Sequence, residues 1–174
     1  MTEKECTVHP YDSKEYDPIV LPVATCLTVY EHPSGEKYIL QVSEALWRED
    51  LDQSLLATNQ LRDNGLVVND VLRQFPRDEG DVEGRPMSII VPGGDGEEPV
   101  ALPLETRGTM PYLPVRKPMD GEVEELPWLE LTSEIDWDPY SVDFSRIEED
   151  LAKDDRHRED SEKRPRRAGS VMGL

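Results

Sequence analysis

Few side chains in this chain of 174 residues stand at spacings that do chemistry. His9, His32 and His157 are scattered, and neither Cys6 nor Cys26 joins a histidine at zinc-ligand spacing. Glu148-Glu149-Asp150 and Asp154-Asp155 lack the alternating oxygen ligands of a calcium loop and read as solvated charge. Pro92-Gly93-Gly94-Asp95-Gly96 is glycine-rich, but it is acidic and has no Lys-Ser/Thr to hold a phosphate, so it reads as a turn. Lys163, Arg164, Arg166 and Arg167 form a short basic run suited to nuclear import or to an anion. Trp47, Trp128 and Trp137 read as packing anchors rather than as a stacking platform. No cofactor and no metal are expected.

Charge narrows the partners. The formal net charge is −19, and residues 146–174 carry none of it, because their eight basic and eight acidic groups cancel. The preceding 145 residues hold 30 acidic and 11 basic groups. An acidic body repels a phosphate backbone, which argues against nucleic acid and in favour of a basic protein partner. Two cysteines do not make a disulfide framework and fit reduced thiols. Met1-Thr2-Glu3-Lys4-Glu5 lacks the basic-then-apolar signal pattern, and no apolar run spans a bilayer, so an intracellular protein, cytoplasmic or nuclear, is expected.

The elements follow from local pattern. Residues 1–17 are polar and read as a flexible lead. Pro18-Ile19-Val20-Leu21-Pro22 is apolar but bracketed by prolines, which suits a sheet edge. Thr25 to Tyr30 alternates, His32-Pro33-Ser34-Gly35 supplies turn chemistry, and Lys37 to Val42 returns, so a hairpin is predicted. Leu55-Leu56 then leads to a short helix from Asn59, capped by the Thr58 hydroxyl. Gly65 suits the left-handed position that ends it, Leu66 closes over the end, and Leu66-Val67-Val68 form a short strand. Met87–Val91 and Val100–Leu104 read as strands, and Tyr112–Val115 as an edge strand. A helix is predicted near Asp120, stopped by Pro127. This gives a β domain over 18–118, a linker over 119–145 with that helix and Trp137-Asp138-Pro139-Tyr140, and a charged disordered tail over 146–174.

Thr25–Val42, Ser54–Asp70, Val100–Leu104 and Leu131-Thr132-Ser133…Trp137-Asp138-Pro139-Tyr140, in that order, resemble the retropepsin-like region of copia-type retrotransposon polyproteins. The similarity runs from about Pro18 to Tyr140. It implies an aspartic-protease scaffold in which two subunits each donate an Asp-Thr/Ser-Gly turn. The paired carboxylates share a proton, and one activates the attacking water. Leu55, Leu56 and the helix behind Ala57 and Thr58 would brace that turn. The hairpin would lie in or just after the flap.

The chain departs from this family where the chemistry is done. It contains no Asp-Thr-Gly or Asp-Ser-Gly; the string Asp12-Ser13-Lys14 lacks the glycine and sits close to the hairpin. Ala57 stands where the family usually has glycine, and adds a methyl where backbone passes closely. The expectation is therefore a mainly β fold, a partial retropepsin-like sheet or barrel with one short helix. Its function would be that of a non-catalytic fragment truncated just after the catalytic turn. The alternatives are a domesticated acidic module that binds a basic partner, and an active endopeptidase whose Asp-Ser-Gly lies in upstream coding sequence. A sheet that has lost a strand exposes unpaired backbone, which would make the isolated chain marginally stable and favour self-association through that edge.

Overall fold

A computed structural model describes residues 4–9, 17–48, 54–72, 87–94, 96–138 and 141–162, with side chains to residue 153. The first strand, β1 (Glu5–Val8), pairs antiparallel with β2 (Ile19–Glu31), Cys6 lying opposite Leu21. The lead expected to be flexible therefore contains a strand. Cys6-Thr7-Val8 carries two β-branched residues, and Ile19-Val20-Leu21 offers it an apolar partner. β2 turns through His32–Glu36 into β3 (Lys37–Leu46). Gly35 sits at φ +96°, and its N–H donates to the His32 carbonyl at 2.8 Å. The glycine supplies a backbone region closed to most residues. Register runs from Glu31 opposite Lys37 to Val23 opposite Leu46, so the hairpin is longer than its alternating segment.

Helix α1 (Thr58–Asp63) follows, then β4 (Val67–Asn69). Its end is held by two bonds, Gly65 N–H to the Arg62 carbonyl at 2.9 Å and Leu66 N–H to the Leu61 carbonyl at 3.1 Å, with Gly65 at φ +81°. That is the paired geometry of a glycine-terminated helix, and it lays Leu66 over Leu61. At the other end the prediction was off by one residue. Ala57 is the N-cap and makes no side-chain cap bond. The Thr58 hydroxyl instead accepts from Arg62 Nη1 at 3.1 Å.

The chain continues through β5 (Ser88–Val91), β6 (Val100–Pro103), β7 (Glu105–Arg107), β8 (Met110–Tyr112), β9 (Val115–Arg116), α2 (Glu122–Glu125) and β10 (Trp128–Glu130). β4, β5 and β6 form an antiparallel sheet, and β7 and β8 a hairpin. The larger sheet runs β1-β2-β3-β10, with β9 also paired to β2. β10 lies parallel to β3, Leu129 opposite Leu40. A parallel neighbour requires a crossover, and here the crossover carries α1 and the three-stranded sheet. The fold is mainly β, in open mixed sheets; among the described residues no barrel closes.

The crossover also makes the core. Tyr30 and Leu40 of the hairpin, Leu61 and Leu66 of the helix and its end, Ile89, Val91 and Leu102 of the smaller sheet, and Leu131 after β10 form one buried cluster. Leu61 is 1% exposed and stands between the two sheets' contributions.

The chain divides into two units, Met1–Asp136 and Trp137–Leu174. The second holds α3 (Val142–Glu162). Disorder was expected from residue 146, yet residues 146–162 are helical. No proline or glycine occurs between Pro139 and Pro165. The Ser141 hydroxyl accepts from Phe144 N–H at 3.3 Å in N-cap geometry, and Asp143 occupies the first turn. Ion pairs Arg146–Asp143 and Lys153–Asp150 are spaced i,i+3. Charged residues of good helix propensity support the helix, beside a short apolar stripe of Phe144, Ile147 and Leu151 spaced i, i+3, i+7. Among the described residues the short helices expected near Asn59 and Asp120 are both present, and the long one is added to them. Among the described residues, no helix is long and apolar enough to cross a membrane.

Replacing Leu61 by alanine should destabilise the fold by about 2–5 kcal/mol, as for other buried leucines. Chemical denaturation of the full chain checks this, and a loss below about 1 kcal/mol would show that the cluster does not depend on α1.

Candidate functional site

The densest group of buried polar side chains lies where β3, α1 and the segment after β10 meet. Gln41, Ser43, Gln60 and Thr132 are all buried. They surround an irregularity in the hairpin. Between the pairs Ala24–Ala45 and Cys26–Val42, β2 contributes Thr25 alone while β3 contributes Ser43 and Glu44. This is a β-bulge, which bends and twists its strand. Glu44 takes φ +56°, among the described residues the single positive φ outside glycine. A side-chain-bearing residue there costs about 1–2 kcal/mol, so its surroundings must hold it.

Two sets of contacts do so. The Thr132 hydroxyl accepts from Ser43 N–H at 2.7 Å and donates to the Ser43 carbonyl at 2.8 Å. One side chain thus takes the place of a ladder partner. Gln60 Nε2 adds a longer bond to the same carbonyl at 3.4 Å, tying α1 to the bulge. Gln41 Nε2 donates to Ser43 Oγ at 3.1 Å and to Glu134 Oε1 at 3.2 Å. On the outer side, Lys4 Nζ donates to Glu44 Oε2, and to Asp136 Oδ1 at 2.7 Å. Asp136 first and Glu44 second raise the Lys4 ammonium above its ordinary pKa.

This arrangement positions backbone rather than activating a nucleophile. The partner of Ser43 Oγ is an amide, which takes no proton. Glu44 and Asp136 each accept a hydrogen bond from the Lys4 ammonium. No described group of three or more His, Cys, Asp or Glu could hold a metal ion.

A second polar junction ties β9 and α2 to the hairpin. Arg116 Nη1 and Nη2 reach the two Glu122 oxygens at 2.6 Å each, and Nε reaches Glu31 Oε1 at 2.9 Å. Met119 N–H donates to Glu122 at 2.8 Å. The guanidinium first, and that N–H second, pull the Glu122 pKa down to about 2. Glu31 is also lowered, by Arg116 first and Lys37 second.

The motif residues singled out in the sequence are divided by the fold. Leu56 packs against the core, whereas Leu55 is 85% exposed. Ala57 caps α1, Thr58 opens it, and Gly65 ends it. Arg62 then binds α1 to β4, reaching the Val68 carbonyl at 3.3 Å and Asp70 at 3.2 Å. Asp12-Ser13-Lys14 and the basic run Lys163, Arg164, Arg166 and Arg167 lie outside the described residues. Sequence reasoning missed Gln41, Ser43, Gln60 and Thr132. Their only signal is that Gln41 and Ser43 share the alternating face that contains Ile39, which marks a strand buried on both sides. Comparison with protein-family models, with curated proteins and with solved structures finds no match to this chain.

Thr132→Val keeps the shape but leaves the buried Ser43 N–H and carbonyl without that hydroxyl. It should cost about 2 kcal/mol or more, and Thr132→Ser should recover most of it in denaturation experiments. A larger loss for Thr132→Ser than for Thr132→Val would mean that the methyl, not the hydroxyl, matters. For Glu122 the folded pKa lies below the ordinary 4.5. Its contribution is therefore present above that value and lost as pH falls from it toward about 2. Thermal midpoints should fall more steeply over that window for the native chain than for Arg116→Met; parallel slopes would exclude the linkage.

Proposed function

We propose that this chain is a non-catalytic derivative of the aspartic-protease region of a copia-type retrotransposon polyprotein. The observation that carries the reading is the packing of the hairpin, the apolar pair, α1 and β4. These follow one another in the order that prompted the resemblance, and they form one unit through Tyr30, Leu40, Leu56, Leu61 and Leu66. Leu55 adds to it. One leucine of the pair faces the core and the other stands in the open, where a bracing role would require a segment to cover it. The absence of hydrolysis follows from the sequence, which has no Asp-Thr/Ser-Gly, and two facing carboxylates on glycine turns are what the family's water activation needs.

A second reading, an acidic module for a basic protein, is supported by the charge. The first 145 residues hold 30 acidic groups against 11 basic ones, and Lys4, Arg62 and Arg116 are already engaged within the fold. Binding of that kind would weaken steeply with added salt.

The direct test is peptidase activity. The purified chain should release no fragments from an unfolded protein substrate in the acidic range, with or without a transition-state inhibitor of aspartic proteases. A fusion that restores an upstream Asp-Ser-Gly segment should cover Leu55 and lower its exposure to chemical footprinting. Inhibitor-sensitive cleavage by the unmodified chain, abolished by Asp12→Asn, would overturn the reading.

A further inference from the structure

Helix α3 carries apolar residues in one line. Phe144, Ile147 and Leu151 recur at i, i+3 and i+7, the a, d, a spacing of a helix that packs along a partner helix. Phe144 is half-buried at the first turn, whereas Ile147 is 53% and Leu151 55% exposed. The charges around this line are sorted. With Phe144 taken as a, the e and g positions that flank the seam hold Asp143, Glu148 and Asp150, all acidic. Among the described side chains the cations of α3, Arg146 and Lys153, both stand at c, off the seam. Each pairs with an acid of its own helix, Arg146 with Asp143 at 3.2 Å and Lys153 with Asp150 at 2.9 Å. Every member of these pairs is more than half exposed, and ion pairs so exposed hold their partners weakly.

We infer that this seam of α3 docks a basic amphipathic helix, whose apolar side chains seat on Phe144, Ile147 and Leu151 and whose Lys or Arg side chains face Asp143, Glu148 and Asp150. The e and g positions of a two-helix contact set the choice of partner. A second copy of α3 opposes acid to acid in either orientation. Parallel pairing sets Asp143 against Glu148 of the second copy, and antiparallel pairing sets Glu148 against its own counterpart. Like charges so placed repel, and a basic helix reverses each of these terms. The next two seam positions in the sequence are Asp154 and Arg158, so the apolar contact is about two turns long and calls for modest affinity. The inference rests on the acidic-module reading for the sign of the partner's charge and is independent of the protease-derived one. It places the contact on α3, whereas the excess of acid lies in the first 145 residues.

The probe is a synthetic helical peptide with Leu at a and d and Lys at e and g, whose own charges oppose its self-pairing. Its binding to the full chain is followed by fluorescence anisotropy at about 0.15 M salt. The native chain should bind it and should not bind the same peptide with Glu in place of Lys. Ile147→Gln with Leu151→Gln keeps every charge and a good helix propensity, and should weaken binding by about tenfold or more. Glu148→Gln with Asp150→Asn keeps the seam and should weaken it by about two- to fivefold. Circular dichroism reports whether each variant keeps its helix, and the comparison of the two peptides needs no variant. Undiminished binding to the Ile147/Leu151 variant would overturn the inference and leave the acidic-module reading standing, with the contact on the body of the chain. Failure of the native chain to bind the Lys peptide, or equal binding of the Glu peptide, would overturn it too. Failure to bind polylysine as well would overturn that reading with it. A dimer in sedimentation that the Ile147/Leu151 variant abolishes would assign the seam to a second copy instead.

Discussion

One threonine hydroxyl carries an unusual share of this structure. At the bulge in β3 the regular ladder to β2 is interrupted, and the backbone of Ser43 lies buried with no strand to answer it. A buried amide and carbonyl without partners would each cost about 1–3 kcal/mol. Thr132 answers both with a single oxygen, accepting from one and donating to the other. Because Thr132 directly follows the Leu131 that packs in the core, the bond also fixes the chain that leaves β10. The parallel pairing of β10 with β3, the burial of Gln60 of α1 against the same carbonyl, and the left-handed turn at Glu44 all converge on this point.

Cations are scarce in a chain with twice as many acidic as basic residues, and among the described residues Lys4, Arg62 and Arg116 cross-link separated segments. Lys4 joins the start of β1 to the bulge and to Asp136. Arg62 joins α1 to β4 through Asp70 and a backbone carbonyl. Arg116 joins β9 to the end of β2 and the start of α2. Exposed ion pairs taken singly contribute little. Their value here is in register: each fixes where a short or weakly paired element begins.

How much of this was legible depends on whether local pattern or distant contact decides. The hairpin was legible because β2 and β3 alternate on either side of a turn that needs Gly35. The end of α1 was legible because Gly65 and Leu66 satisfy their roles within six residues. β10 was not, since three residues, Trp128-Leu129-Glu130, become a strand only by lying beside β3, more than eighty positions away. The polar junction was hidden for the same reason. Thr132 and Ser43 are unremarkable until the crossover brings them together. α3 was misread because its charges were weighed as solvation and not as i,i+3 partners in a stretch free of proline and glycine. β1 was misread because a polar segment near a terminus gives no sign of the strand it will join.

Thr132 locks the Ser43 backbone, and the Ser43 amide reports on that lock. Its hydrogen exchange, followed in increasing denaturant, should track that of the Leu40 amide and open only with the whole fold. Exchange of Ser43 that is fast and insensitive to denaturant, while Leu40 stays protected, would show that the bulge opens by itself and would contradict the account.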